Sequence, residues 1–255
     1  MREWRRVTAV TGCVVGLCVL AWGVLKAPLP TRMEERFARK PLPKLQATLG
    51  KLPVYFIENR GQLDAEVSYY VQGQGLGVYF TPGGVTFAFT EAAPGAARVF
   101  PAAMTDEPRP RRWAVKLEFV GANPVRPAGV NPTEAVISYF QGSRSDWKTG
   151  LATYSAVVYR DLWPGIDLAY SGEGGRLKYE FVVRPGAAVQ QIRVGYRGAE
   201  QVRVNEAGEF EVTTPLGGFR DQKPYAYQER DGRRVEVAAS YEMDGPLCGF
   251  QSGGV

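Results

Sequence analysis

The sequence predicts an all-β fold, an antiparallel β-sandwich or open barrel-like sheets, preceded by an N-terminal hydrophobic helix. Three observations carry that expectation. Apolar and polar residues alternate with a period of two through much of the chain after Lys51, the pattern of strands with one buried and one wet face. Turn dipeptides separate these runs: Pro82-Gly83, Pro164-Gly165, Pro185-Gly186, Ala207-Gly208 and Asp231-Gly232. No stretch of the body sustains the 3.6-residue pattern of an amphipathic helix.

The chain opens with three arginines, Arg2, Arg5 and Arg6, and then an uncharged, largely apolar run from Val7 to Leu25. Nineteen residues of helix reach about 28 Å, close to the thickness of a bilayer's hydrocarbon core. Residues 1–27 therefore read as a signal anchor or signal peptide. Lys26 and Pro28 make a poor cleavage site, so an uncleaved anchor is preferred. The short basic N-terminus places the body on the extracytoplasmic side, although Lys26, Arg32, Arg36, Arg39, Lys40 and Lys44 flank the other end and pull the opposite way. The Val10-Thr11-Gly12-Cys13 lipoprotein-like box has its apolar residues on the wrong side for lipidation. Residues 28–50 form a proline-rich basic linker, with a short helix expected near Arg32 to Lys40.

Residues 51–255 are the β-rich domain. "WAVKLEFV" sets Trp113, Val115, Leu117 and Phe119 against Lys116 and Glu118. "RLKYEFVV" sets Leu177, Tyr179, Phe181 and Val183 against Lys178 and Glu180, and "RVEVAASYE" repeats the pattern with Val235, Val237, Ala239 and Tyr241. "VRVNEAGEFEV" and "YAYQERDGRRVEV" read as hairpins closed by short glycine-containing loops. The stretch from Ala92 to Arg112 is expected as a long surface loop. Gly73-Gln74-Gly75-Leu76-Gly77 lacks the Lys-Ser/Thr ending of a phosphate loop and reads as a turn or bulge.

Charge and composition exclude several classes of function. The predicted pI is near 9.1, yet residues 1–50 hold nine Lys/Arg against three Asp/Glu, leaving 22 against 23 in the body. A nucleic-acid partner is not expected, because its contacts would need basic residues concentrated on the folded part. Histidine is absent, which removes Ser-His-Asp and Cys-His catalysis and histidine-containing zinc sites. Cys13 and Cys18 lie in the leader and Cys248 near the end, so the body has no internal disulfide pair. No metal and no cofactor are expected.

Five ordered segments carry a resemblance. They are "FIENRGQLDAEVSYYVQGQGLGVYFTPGGVTFAF", "LEFVGANPVRPAGV", "SYFQGSRSDWKTGLATYSAVVYRDLWPGIDLAYSG", "LKYEFVVRPGAAVQQIRVGYRGAEQVRVNEAGEFEV" and "QKPYAYQERDGRRVEVAASYEMDG". Over residues 53–245 they resemble the N-terminal β-rich domain of exported bacterial and archaeal proteins that carry SBBP (beta-propeller) repeats. The resemblance implies an extracellular or surface module without catalytic residues. Such proteins continue into further strands and repeats, whereas here "PLCGFQSGGV" follows. The chain is therefore expected to be a truncated or frame-shifted copy whose final core strand is missing or replaced, with Val235 to Tyr241 as an exposed edge that invites association.

Four residues stand out as binding candidates: Glu58, Arg60, Trp147 and Trp163. Glu58 and Asp64 could act as a carboxylate pair with Arg60 gripping an anion, against the reading of Glu58–Arg60 as an ion pair in a structural turn. Trp147 and Trp163, with Tyr154, Tyr159 and Tyr170, could form a sugar-stacking platform, against ordinary core packing. Glu209 and Glu211 share a strand face but are expected on its wet side, and Asp161 and Asp167 supply too few oxygens for calcium. The expected function is a non-catalytic scaffold, adhesion or interaction domain, exported or held at a membrane by its N-terminal helix, with a protein or glycan partner at the cell surface. The alternative is a carbohydrate-binding or carbohydrate-active sandwich.

Overall fold

The computed structural model describes residues 5–7, 54–73, 75–91, 110–230 and 233–252. Eighteen strands appear among them. They are β1 (Arg5–Val7), β2 (Phe56–Glu58), β3 (Tyr69–Gln72), β4 (Leu76–Thr81), β5 (Gly84–Thr90), β6 (Arg112–Phe119), β7 (Ala128–Tyr139), β8 (Lys148–Trp163) and β9 (Ile166–Glu173). There follow β10 (Arg176–Val183), β11 (Val194–Arg197), β12 (Gln201–Val204), β13 (Phe210–Thr214), β14 (Gly217–Asp221), β15 (Ala226–Arg230), β16 (Arg233–Val237), β17 (Ala239–Asp244) and β18 (Leu247–Ser252). Two single 3-10 turns, Arg144–Asp146 and Val189–Gln191, are the helical elements among the described residues.

All the strand pairings are antiparallel. Fifteen strands join in one sheet, with the order β16-β15-β1-β10-β9-β8-β2-β3-β4-β5-β6-β11-β18-β17 and β7 added beside β8; β12, β13 and β14 form a separate small sheet. The long strand β8 is where the large sheet divides. One edge carries β7; the other pairs with β2 at Thr153 and Tyr154 and with β9 from Ala156 onward. The end of β9 must pass close to the segment entering β2, and Gly172 permits it, because a Cβ there would overlap the Val54 side chain. A glycine where backbones approach closely is a common device at sheet corners.

From that corner the sheet folds back, and its inner faces meet in one aromatic-rich core. Phe80 of β4 packs edge-on to Tyr170 of β9, Phe119 of β6 lies 5.9 Å from Trp163 of β8, and Phe181 of β10 lies 5.4 Å from Phe250 of β18. These partners are far apart in strand order, so the contacts define facing, sandwich-like layers. The small sheet closes the core from the side, with Phe219 stacked on Phe87 and Phe210 against Tyr196.

The period-two readings hold for Val115, Leu117 and Phe119 in β6 and for Phe181 and Val183 in β10, which are buried, whereas Trp113, expected on the same face of β6, is exposed. Both expected hairpins form, as β12–β13 and β15–β16. The stretch from Val235 to Tyr241 departs from expectation. It is not one alternating strand: it breaks at Ala238 into β16 and β17, which lie at opposite ends of the sheet order. Val235 is exposed while Tyr241 is buried. Leu247–Ser252 forms β18, pairs with β17 and β11, and buries Cys248 and Phe250. Only two side chains of β18 carry this burial, too few to register as periodicity.

At the N-terminus, Arg5–Val7 is a strand between β10 and β15. The rest of the expected hydrophobic helix, the 28–50 linker and residues 92–109 of the expected long loop lie outside the described residues. Among the described residues, no helix is long and apolar enough to cross a membrane.

Candidate functional site

The chemistry-bearing residues fall into four places, and each is built differently. The first is the corner after β2. Asn59 organises it: its Nδ2 donates to the carbonyls of Asp64 (2.7 Å) and Val67 (2.8 Å), and its Oδ1 accepts from the backbone N–H groups of Gly61 and Leu63 (3.1 Å each). One asparagine thus satisfies four backbone groups of a loop that has no ladder of its own. Gln62 adds a donor to the Glu58 carbonyl and one to the Tyr70 hydroxyl. Arg60 is bound to Glu58 at 2.9 Å, so the guanidinium and carboxylate proposed for ligand chemistry satisfy each other. Asp64 caps its own turn through the Glu66 N–H.

The second place is the corner where the end of β8 turns into β9. Asp161 takes a left-handed φ of 53°, which aspartate tolerates better than most residues. This bend turns its carboxylate toward Arg184, whose two terminal nitrogens reach Asp161 Oδ1 (2.9 Å) and Asp167 Oδ1 (2.7 Å). A hydrogen bond from the Gly165 N–H, then Arg184, holds the Asp161 carboxyl below its usual range. The pair considered for calcium is occupied by a guanidinium, and no group of three metal-ligating side chains occurs among the described residues.

The third is the outer face of the small sheet. Glu211 does lie opposite Phe210 and Val212, but it is not simply wet: it is only 9% exposed. Arg203 and Arg220 clamp it at 2.7 and 2.9 Å, and Asn205 donates to both Glu211 and Glu209. The Asn205 and Arg203 hydrogen bonds lower the Glu211 carboxyl below its ordinary value. A carboxylate so thoroughly bonded is a poor nucleophile or proton donor at neutral pH.

The aromatic platform does not assemble. Trp163 is 1% exposed and donates its indole N–H to the Val120 carbonyl at 3.1 Å. Tyr159 and Tyr170 are also core residues, and Tyr154 packs edge-on to Tyr69. Trp147 stands alone at the far end of β8, roughly 50 Å of strand contour away from Trp163. There it meets Phe140 edge to face at 5.0 Å, with the Arg144 guanidinium over its ring at 5.7 Å. Trp147 is 37% and Phe140 63% exposed, and Val136, further along β7, is exposed as well. The β7–β8 hairpin thus presents an aromatic and basic tip, held by the Ser143–Asp146 capping box.

The fourth place was missed by sequence reasoning. Asp221 is 4% exposed inside the core. It is there because Phe219 and Asp221 alternate on the inner face of β14, a phenylalanine-x-aspartate signal legible in "GFRD". Tyr179 donates to Asp221 at 3.4 Å, and the Tyr241 hydroxyl donates to the Gln222 carbonyl at 3.0 Å. Two adjoining voids of about 20 Å³ each border this group, room for about one water apiece. Burial pushes the Asp221 carboxyl up to about 8 and the neighbouring Cys248 thiol up to about 12. Both are therefore protonated at neutral pH, and Cys248 has no thiolate character to act as a nucleophile.

Fold and site together define an all-β domain with a buried acid–phenol cluster and an exposed aromatic hairpin tip. The chain belongs to the family described as a domain of unknown function (DUF7948), which it matches over residues 56–255. No curated protein and no solved structure matches it.

Proposed function

We propose that the chain is a non-catalytic β-domain, exported or anchored in a membrane by its N-terminal apolar run, with a scaffold, adhesion or interaction role. The observation that supports this reading best is the β7–β8 tip, where Phe140, Trp147 and Arg144 stand together at the surface. Aromatic residues and arginine are the side chains that concentrate binding energy at protein interfaces. The remaining candidate groups point the same way, because Glu58, Asp161, Asp167 and Glu211 are each committed to an arginine of the same domain. The resemblance to the N-terminal domain of SBBP-repeat proteins belongs to this reading, as does an extracytoplasmic location. A photo-crosslinking amino acid in place of Phe140 should give adducts of defined mass on whole cells. The same group in place of Glu206, at the β12–β13 turn, should give none; equal labelling at both positions would contradict an interaction tip.

A glycan partner is the second reading, favoured by the partial exposure of Trp147. It rests on Trp147 alone, since Trp163 is buried. A glycan array with the full chain would support it if specific signals vanish in Trp147→Ala.

A further inference from the structure

Among the described residues the large sheet ends in three strands with one unpaired side, β7, β16 and β17. An open edge offers its free N–H and C=O groups to another strand unless something blunts it. β7 is blunted by Pro132, which has no N–H to give, by Asn131 at a left-handed φ of 53°, and by two shifts in its register with β8. β17 lies beside β12 of the small sheet. β16 has neither protection. It contains no proline, pairs with β15 in unbroken register from Ala226 opposite Val237 to Arg230 opposite Arg233, and exposes Arg233, Arg234, Val235 and Glu236 in succession. Val235 stands out in that run, a β-branched apolar side chain 47% exposed.

The register fixes what this edge can pair with. Only two residues separate Arg230 from Arg233, so that closing pair exchanges main-chain bonds, and the alternation of an antiparallel ladder turns Val235 and Val237 toward β15 in the same way. The N–H and C=O groups of Arg234 and Glu236 therefore point away from β15. A second β16 laid antiparallel must match outward residues with outward residues, which leaves registers two residues apart. The register centred on Val235 sets Arg234 opposite Glu236 of the second copy, Glu236 opposite Arg234 of the second copy, and the two valines against each other on the two-fold axis. A shift of two residues either way would oppose Arg234 to Arg234 or Glu236 to Glu236, like charges directly across a strand pair.

We propose that β16 is a homodimerisation edge, at which two copies of this chain join their large sheets antiparallel about Val235. The occupant is a second copy because Arg233–Val237 complements itself in charge and in apolar surface in this one register, as an isologous interface requires. Arg234 already meets Glu229 at 3.9 Å and lies over the Tyr227 ring, which holds it on the face where Glu236 of the second copy arrives. The inference does not use the β7–β8 tip and stands or falls separately from it.

Cysteine cross-linking of the full chain tests this, with Cys13→Ser and Cys18→Ser removing competing thiols and Cys248 left in the core. Val235→Cys meets its own counterpart on the axis, within the range a disulfide spans. Arg233→Cys lies two residues off the axis on each copy, which sets its two thiols about 14 Å apart. Mild oxidation should give roughly tenfold more covalent dimer with Val235→Cys than with Arg233→Cys. Equal linking at the two positions, as association through another part of the chain would give, would overturn the proposal. So would adducts of Val235→Cys with other cellular proteins in place of the self-dimer. A charge exchange is the second arm, read by co-purification of differently tagged full-length chains. Arg234→Glu and Glu236→Arg should each weaken self-association roughly tenfold, because each sets like charges opposite one another twice. Mixing the two variants should restore it, since every facing pair is then glutamate against arginine. A mixture no better associated than either variant alone would overturn the register. Should Arg234→Glu fail to fold for want of its contact with Glu229, the cross-linking contrast between Val235→Cys and Arg233→Cys decides.

Discussion

Tyr179 of β10 donates its phenolic hydrogen to Asp221 of β14 at 3.4 Å, tying the small sheet to the large one inside the core. The carboxyl that accepts it is held protonated by burial, with its pKa raised from 3.8 to about 8. The unfolded chain releases this proton near pH 4, the folded chain only near pH 8. Between those values the folded state binds more protons, so stability falls as pH rises through this window and levels off above it. Asp221→Asn should remove that slope. Chemical denaturation should find that the variant gains about 4 kcal/mol on the parent between pH 5 and pH 8.5. An equal difference at both pH values would mean that Asp221 does not titrate in the core.

The corner after β2 should respond very unequally to two neighbouring substitutions. Asn59→Ala removes the side-chain partner of four backbone groups, of which the Asp64 carbonyl keeps the Val67 N–H, and should cost about 2 kcal/mol in urea unfolding. Arg60→Ala removes only an exposed ion pair and should change stability by less than about 0.5 kcal/mol.

The two tryptophans should likewise separate by role. Trp163→Ala empties a core position between Phe119 and Phe181 and should cost about 3–5 kcal/mol. Loss of any binding in that variant would report unfolding. Trp147→Ala should leave thermal unfolding within a few degrees of the parent, which makes it the variant to use in binding assays.

The final strand gives a further contrast. Phe250 touches both Phe181 and Tyr241, so Phe250→Ala should cost about 3 kcal/mol. Val235→Ser on the exposed β16 should be nearly neutral. Equal costs would restore the expectation that the Val235 stretch, and not the terminal one, belongs to the core.

Local sequence carried much of the fold and little of the site. Alternation located β6, β10 and the two hairpins because burying one face of a strand writes itself into the residues two apart. It failed at Ala238, where a single residue carries the chain from one end of the sheet order to the other, a change of neighbours with no local signature. Trp163 and Trp147 look alike in sequence, and only the facing layer decides that one meets Phe119 and Phe181 while the other meets water. Arg184 lies 17 residues from Asp167, so the guanidinium that occupies the two aspartates was invisible to spacing. Asp221 could have been found, since a strand that buries Phe219 must also turn residue 221 inward.

The proposed role depends most on the body being exported and held at a membrane. Intact cells expressing the full chain should be treated with external protease, and their membranes then washed with carbonate. The predicted result is a chain that stays with the washed membranes and whose β-domain, followed through an epitope after Ser252, is cut by the external protease. Recovery of the whole chain in the soluble cytoplasmic fraction, protected from protease, would contradict it.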